Sequence, residues 1–150
     1  FQNKGLAPIG KTDFIVPIGK AKVVKEGDQC TILSYGISIM NALSAAEELG
    51  INAEIIDLRT IDLMGIDWDL IGDSIKKTNR VMIAEQTTKG TSLGSHISSL
   101  IHEKYFDWLD GEVIRVSGTN SSPVVSKVLE EAALAGKKEF EVGIQKLLNL

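Results

Sequence analysis

The 150-residue chain is poor in cysteine, proline and aromatic side chains, and each shortage excludes something. Cys30 is the single cysteine, so no internal disulfide is available and a reducing compartment is the simpler setting. It sits in QCTILSYG, which reads as a strand, and there it is a small buried apolar filler. Aromatics make up 5% of residues and no basic run exceeds a Lys-Lys pair, which argues against a stacking platform for nucleic acid. The formal net charge of −4, from 16 basic and 20 acidic residues, argues the same way for nucleic acid and for an anionic membrane surface. No apolar run is long enough to span a bilayer, and no signal-peptide pattern stands at the start.

What is present suits one domain: 43% hydrophobic and 24% charged residues, ordinary for a chain with a sizeable core. Residues 1–19 hold two of the three prolines and little periodicity, and read as a linker from a missing upstream domain. Residues 20–150 read as the domain. KAKVVKE (20–26) is a lysine-rich strand suited to a sheet edge. QCTILSY (29–35), NAEIIDL (52–58), RVMIAE (80–85) and EVIRVSG (112–118) are further strands. Between them lie helical patterns. Ile39, Met40, Leu43, Ala46 and Leu49 recur up to Gly50; Asp67 is placed to cap DWDLIGDSIKKT; SHISSLIHEKYF follows a loop with Gly90 and Gly94. VVSKVLEEAALA, capped by Ser122-Pro123, and EFEVGIQKLLNL close the chain. Strand–helix alternation predicts an α/β fold in three layers, a mostly parallel sheet with helices on both faces.

The chemistry is sparser. His96 and His102 do not share a helix face, so they are not a metal pair, and His96 reads as a hydrogen-bonded margin residue. Asp62, Asp67 and Asp69 lack the alternation of a calcium loop. No P-loop, dinucleotide fingerprint or nucleophile elbow is present, and no catalytic, cofactor or metal-ligating residue is assigned. The glycine pair Gly90 and Gly94, between strand and helix, is a weak candidate anion loop. In open parallel sheets, function gathers at the carboxyl ends of the strands. Those ends carry Tyr35-Gly36, Asp57-Leu58-Arg59-Thr60 and Glu85, polar and mixed in sign like a surface that meets another. Arg59 ends a buried strand, where its planar fork suits a protein interface; exposure or a local pair with Asp57 is the alternative.

In one order, VPIGKAKVVKEG, TILSYG, AAEELGINAEIIDLRTID, IGDSIKKTNRVMIAEQ and FDWLDGEVIRVSG resemble one family. It is the C-terminal domain of the beta subunit of thiamin-dependent 2-oxo acid dehydrogenases, of pyruvate or branched-chain type, and more broadly the transketolase C-terminal domain. The resemblance implies a five-stranded sheet whose first strand runs antiparallel at the edge. It implies an intact enzyme that decarboxylates a 2-oxo acid, pyruvate favoured, on thiamin diphosphate with magnesium and acylates a lipoyl group. The family's cofactor and catalytic residues lie in other parts, so none are expected in this fragment. Implied partners are an alpha subunit and a second beta subunit in a heterotetramer, and the subunit-binding domain of a lipoyl acyltransferase. Tyr35, Gly36, Arg59, Thr60, Glu85 and, through its carboxylate, Leu150 are the implied interface. The implied setting is intracellular: bacterial cytoplasm, mitochondrial matrix or plastid.

Two departures stand out. IDLMGID lacks the proline that usually follows DLRT, and NSSPVVSKVLEEAALAG reads as helix where the family has an extended, proline-rich stretch. The alternatives are the same domain of a transketolase or deoxyxylulose phosphate synthase, or an independent α/β module in which Gly90 and Gly94 cradle a phosphate.

Overall fold

A computed structural model describes residues 15–62, 64–121 and 125–150. Five strands form one sheet: β1 Lys22–Lys25, β2 Cys30–Ser34, β3 Ala53–Asp57, β4 Val81–Thr88 and β5 Ile114–Gly118. Their order across the sheet is β1-β3-β2-β4-β5. β1 runs antiparallel to β3 at one edge, and every other pairing is parallel. The helices are α1 Ser38–Glu48, α2 Trp68–Thr78, α3 Leu93–Tyr105, α4 Lys127–Ala133 and α5 Lys137–Leu148.

The alternating faces of the strands explain the two cores. Cys30 and Ile32 of β2, Ile55, Met82 and Ile114 pack with Ala42 and Ala46 of α1 and Phe140, Ile144 and Leu147 of α5. Leu33, Ile56 and Ile83, on the opposite face, pack with Ile71 and Ile75 of α2 and Ile97 and Ile101 of α3. β2 is buried over its whole length because both of its faces are covered. Helix α5 sits close on the sheet, since a Cβ on Gly143 would stand 2.4 Å from Cγ2 of Val116.

Several local expectations are corrected. β4 extends to Thr88, a short 3₁₀ turn covers Lys89–Thr91, and α3 starts at Leu93. Gly94 therefore lies in the first turn of α3, whose cap is the Ser92 hydroxyl accepting from the Ser95 N–H at 3.1 Å. Asp67 occupies the cap position of α2 but does not cap it. Its Oδ2 accepts from the Ala21 N–H at 3.2 Å and its Oδ1 lies 3.5 Å from Lys20 Nζ, so this buried carboxylate anchors the start of the domain instead. Met40 leaves the apolar stripe of α1 and faces outward, while Ala42 and Ala45 fill the core. The helix expected over 124–135 is only α4, seven residues that bury nothing, and Val128 and Leu129 stay exposed. Ser122-Pro123 and the segment Phe1–Phe14 lie outside the described residues.

Candidate functional site

β2 is flanked by β3 on one side and β4 on the other, so the chain changes direction across the sheet between β2 and β4. The crevice at the carboxyl ends of two such strands is the usual ligand position in an open α/β sheet. Here the chain itself fills it. Ser34 Oγ donates to the Ala84 carbonyl at 2.7 Å and closes the strand ends. Tyr35 OH donates to Glu85 Oε2 at 2.9 Å, and the Gly94 N–H donates to the same oxygen at 3.2 Å. Glu85 is completely buried, unlike the surface group its strand-end position suggested. Its Oε1 has no hydrogen-bond partner among the described residues.

This arrangement places an internal anion at the N-terminus of α3, where the helix favours negative charge. The Gly94 amide offered above as part of an anion loop is thus engaged by Glu85, and Gly90 lies beside Asn120 rather than beside Gly94. A Cβ on Gly94 would stand 2.4 Å from Glu85 Oε1, so the glycine is what lets the carboxylate in. Burial first, then the charge and hydrogen bond of Glu85, hold the Tyr35 phenol well above its usual range. Tyr35 is therefore a hydrogen-bond donor at neutral pH and not a base.

Arg59 follows β3 with a left-handed backbone, φ +54°. Its N–H donates to Asp57 Oδ1 at 3.1 Å, and its Nε is 4.0 Å from Asp57 Oδ2, with the side chain partly buried. The local pair with Asp57 is thus formed, at the outer limit of contact. Thr60 Oγ1 accepts from the Gly19 N–H at 2.8 Å and so ties the start of the domain to the loop after β3. Gly36 turns the chain out of β2 with φ +60° and is exposed. Tyr35, Gly36, Arg59, Thr60 and Glu85 are therefore gathered at one end of the sheet.

Leu150 is not with them. It lines a depression with Asp28, Gln29, Asn79 and Arg80, at the amino ends of the strands. A five-residue strand separates the two ends by about 16 Å. Leu147 lies in the α1/α5 core and Leu148 packs against it, whereas Leu150 projects.

The exposed apolar residues at the carboxyl edge escaped notice in the sequence. Ile37 and Met40 follow β2 and are 63% and 61% exposed; Ile61 and Met64 follow β3 and are 49% and 94% exposed. For Ile37, Ile61 and Met64 the signal is available, since these large apolar residues follow buried strands off any stripe that a helix could bury, whereas Met40 falls within the apolar recurrence of α1. Among the described residues no three His, Cys, Asp or Glu side chains gather as a metal site. His96 is exposed, and His102 Nδ1 lies 2.7 Å from the Ser98 carbonyl of its own helix. Among the described residues the edge offers contact surface and hydrogen bonds, without a nucleophile paired to a base.

Residues 19–139 match the family described as "Transketolase, C-terminal domain". The pyruvate dehydrogenase E1 component subunit beta of Dictyostelium discoideum mitochondria is 40% identical over 125 residues, covering 81% of this chain and 35% of that protein. The 2-oxoisovalerate dehydrogenase subunit beta of Pseudomonas aeruginosa is 41% identical over 103 residues, 69% of this chain and 29% of that protein. Among solved structures, a split-gene transketolase in an inactive beta4 tetramer superposes with a TM-score of 0.74 at 29% identity, over 97% of this chain and 47% of that one. The chain thus spans about a third of these curated relatives' length.

Proposed function

The chain belongs to the family of transketolase C-terminal domains, in the company of 2-oxo acid dehydrogenase beta subunits, and we propose on that premise that it is the assembly domain of such an enzyme. The observation that carries this reading is the carboxyl edge. Ile37, Met40, Ile61 and Met64 are exposed on the segments that follow β2 and β3, the same segments that carry Tyr35 and Arg59. An apolar rim mixed with polar anchors suits a lasting protein interface. The occupant is the rest of a beta subunit together with a second copy and an alpha subunit.

In this reading the intact enzyme decarboxylates a 2-oxo acid, pyruvate favoured, and passes the acyl group to a lipoyl carrier. Thiamin diphosphate with magnesium supplies that chemistry when bound. The residues described here do not fit it: magnesium asks for carboxylates placed together with phosphates, no such cluster is present among them, and the Gly94 amide is engaged by Glu85. The cofactor is therefore assigned to other parts of the assembly, and no step is routed through this chain.

Arg59 keeps its interface role in this proposal, with Asp57 holding the guanidinium until a partner carboxylate or carbonyl completes its fork. A separate contact is proposed at the amino end, where the exposed segment at Leu150 docks the subunit-binding domain of an acyltransferase. The test is reconstitution: activity with pyruvate appears only when the upstream part of the beta subunit and an alpha subunit are supplied, and saturable binding of thiamin diphosphate to this chain alone refutes the reading. A transketolase is the second reading, favoured by the structural likeness to the split-gene transketolase, and ketol transfer between sugar phosphates in the same reconstitution distinguishes it.

A further inference from the structure

The two edges of the sheet are guarded unequally. β1 is short, carries Lys22 and Lys25, and has a register irregularity between Val23 and Lys25; all three features discourage a further strand. At the other edge β5 pairs with β4 alone, so alternate residues of β5 turn their N–H and C=O groups outward with no neighbouring strand among the described residues. Between this open edge and α5 runs a groove of about 560 Å³, lined by six consecutive residues, Glu112–Ser117. Val142 of α5 forms part of its wall and is 59% exposed.

The groove is also basic, in a chain of net charge −4. Lys89, Arg115, Lys138 and Lys146 line it, against Glu112 and Glu139. Lys146 pairs with Glu112 at 2.7 Å, and Glu139 accepts from the Gly136 N–H at 2.8 Å. Arg115 donates to Ser95 Oγ and has no carboxylate within ion-pair distance among the described residues, and neither Lys89 nor Lys138 has one. Three cations without a counter-ion therefore surround an unpaired strand edge.

We propose that the β5 edge takes an extended, acidic peptide segment of a partner protein as a sixth strand. Backbone pairing supplies the register, alternate apolar side chains lie against Val116 and Val142, the acidic side chains between them face the α3 side where Arg115 stands, and Lys89 and Lys138 on the groove wall attract the segment by charge. The mode is independent of the assembly surface proposed above, which lies at the carboxyl ends of the strands rather than along the side of β5. A second copy of this chain fits less well, because antiparallel pairing of two β5 strands would set the same cations against each other.

The test titrates the chain with three blocked octapeptides: alternating valine and glutamate, alternating valine and lysine, and the valine–glutamate peptide N-methylated at every second residue. Amide chemical shifts report the binding site, and sedimentation reports the oligomeric state. The expected result is saturable binding of the valine–glutamate peptide with shifts over 112–117, and affinity lower by about tenfold or more for the lysine peptide. N-methylation should abolish binding. The double variant Lys89→Glu/Lys138→Glu, which alters only exposed side chains, should weaken it by about tenfold. Absence of saturable binding, indifference to N-methylation or to charge reversal, or self-association through β5 without peptide would each overturn the proposal.

Discussion

At the amino end of the sheet, the Thr31 hydroxyl meets Ser74 Oγ at 2.6 Å and Thr78 Oγ1 at 2.7 Å, all buried. Beside it, buried Glu54 bonds Lys77, and Arg80 pairs with Asp110 at 3.4 Å. Even the exposed Trp108 there has the Lys76 ammonium 5.8 Å from its ring centroid. At the carboxyl end, Glu85 keeps one buried oxygen without a partner among the described residues, and Ile37, Met40, Ile61 and Met64 are exposed. Among the described residues, the buried polar groups of the amino end are met by the chain's own side chains, while Leu150 stays exposed there. In the reading proposed above, a partner chain covers the carboxyl end, and that difference between the two ends suits an assembly piece.

The comparison is broken most severely at Gly94. Gly94→Val would drive a side chain into Glu85 Oε1 and into Ile83 Cγ2, the latter 2.9 Å from the Cβ position. Overpacking beside a buried carboxylate should cost about 3 kcal/mol in urea unfolding, and a loss below about 0.5 kcal/mol would show that the Glu85 pocket yields easily.

Next comes a matched pair of polar changes. Thr31→Val removes one partner from each of the buried hydroxyls of Ser74 and Thr78, Thr78 keeping the Ser74 carbonyl, and should cost about 2 kcal/mol. Glu85→Gln keeps an acceptor for Tyr35 and Gly94 and removes a buried charge, so its effect should stay within about 1 kcal/mol. Equal losses from the two changes would erase the distinction between the ends.

Acid provides a smaller probe of the amino end. Burial raises the Glu54 carboxyl, but bonds to Lys77, Ser74 and Glu26 and the Lys77 charge outweigh it and hold the group below its usual range. A depressed carboxyl contributes stability above the unfolded value of about 4.3 and loses it as pH falls through the folded value. Lys77→Met should therefore flatten the loss of stability below about pH 4.3, by about 1 kcal/mol at most because the lysine is partly solvated. Unchanged pH dependence in the variant would remove Lys77 from the account.

The smallest effect concerns Cys30, in the α1/α5 core at the amino start of β2. Burial pushes its thiol up to about 11, against opposing influences of Arg80 and Lys25. Native chain should react with iodoacetamide at neutral pH only at the rate of opening, and prompt labelling would show that this end is not closed.

The sequence made the sheet legible because β2, β3 and β4 are covered on both faces, which writes apolar runs such as Ile32-Leu33, Ile55-Ile56 and Val81-Met82-Ile83-Ala84. The termini of elements were harder. A glutamate at the end of a strand reads as surface unless the fold brings it a tyrosine 50 residues away and an amide from the next helix. Asp67 looked like a helix cap because its target, the Ala21 N–H, lies 46 residues away in sequence. Leu150 was grouped with Arg59 although α5 runs toward the amino ends of the strands, a direction that no periodicity encodes. The outward apolar residues were visible as letters, but only their positions on the folded edge give them a common meaning.

The central claim is that the carboxyl edge is an interface, and sedimentation velocity on the full-length protein carrying Ile37→Glu and Met64→Glu tests it most directly. Both side chains are exposed, so thermal unfolding of the domain should be unchanged while the assembly dissociates into smaller species. An assembly of undiminished mass with unaltered activity would contradict the account.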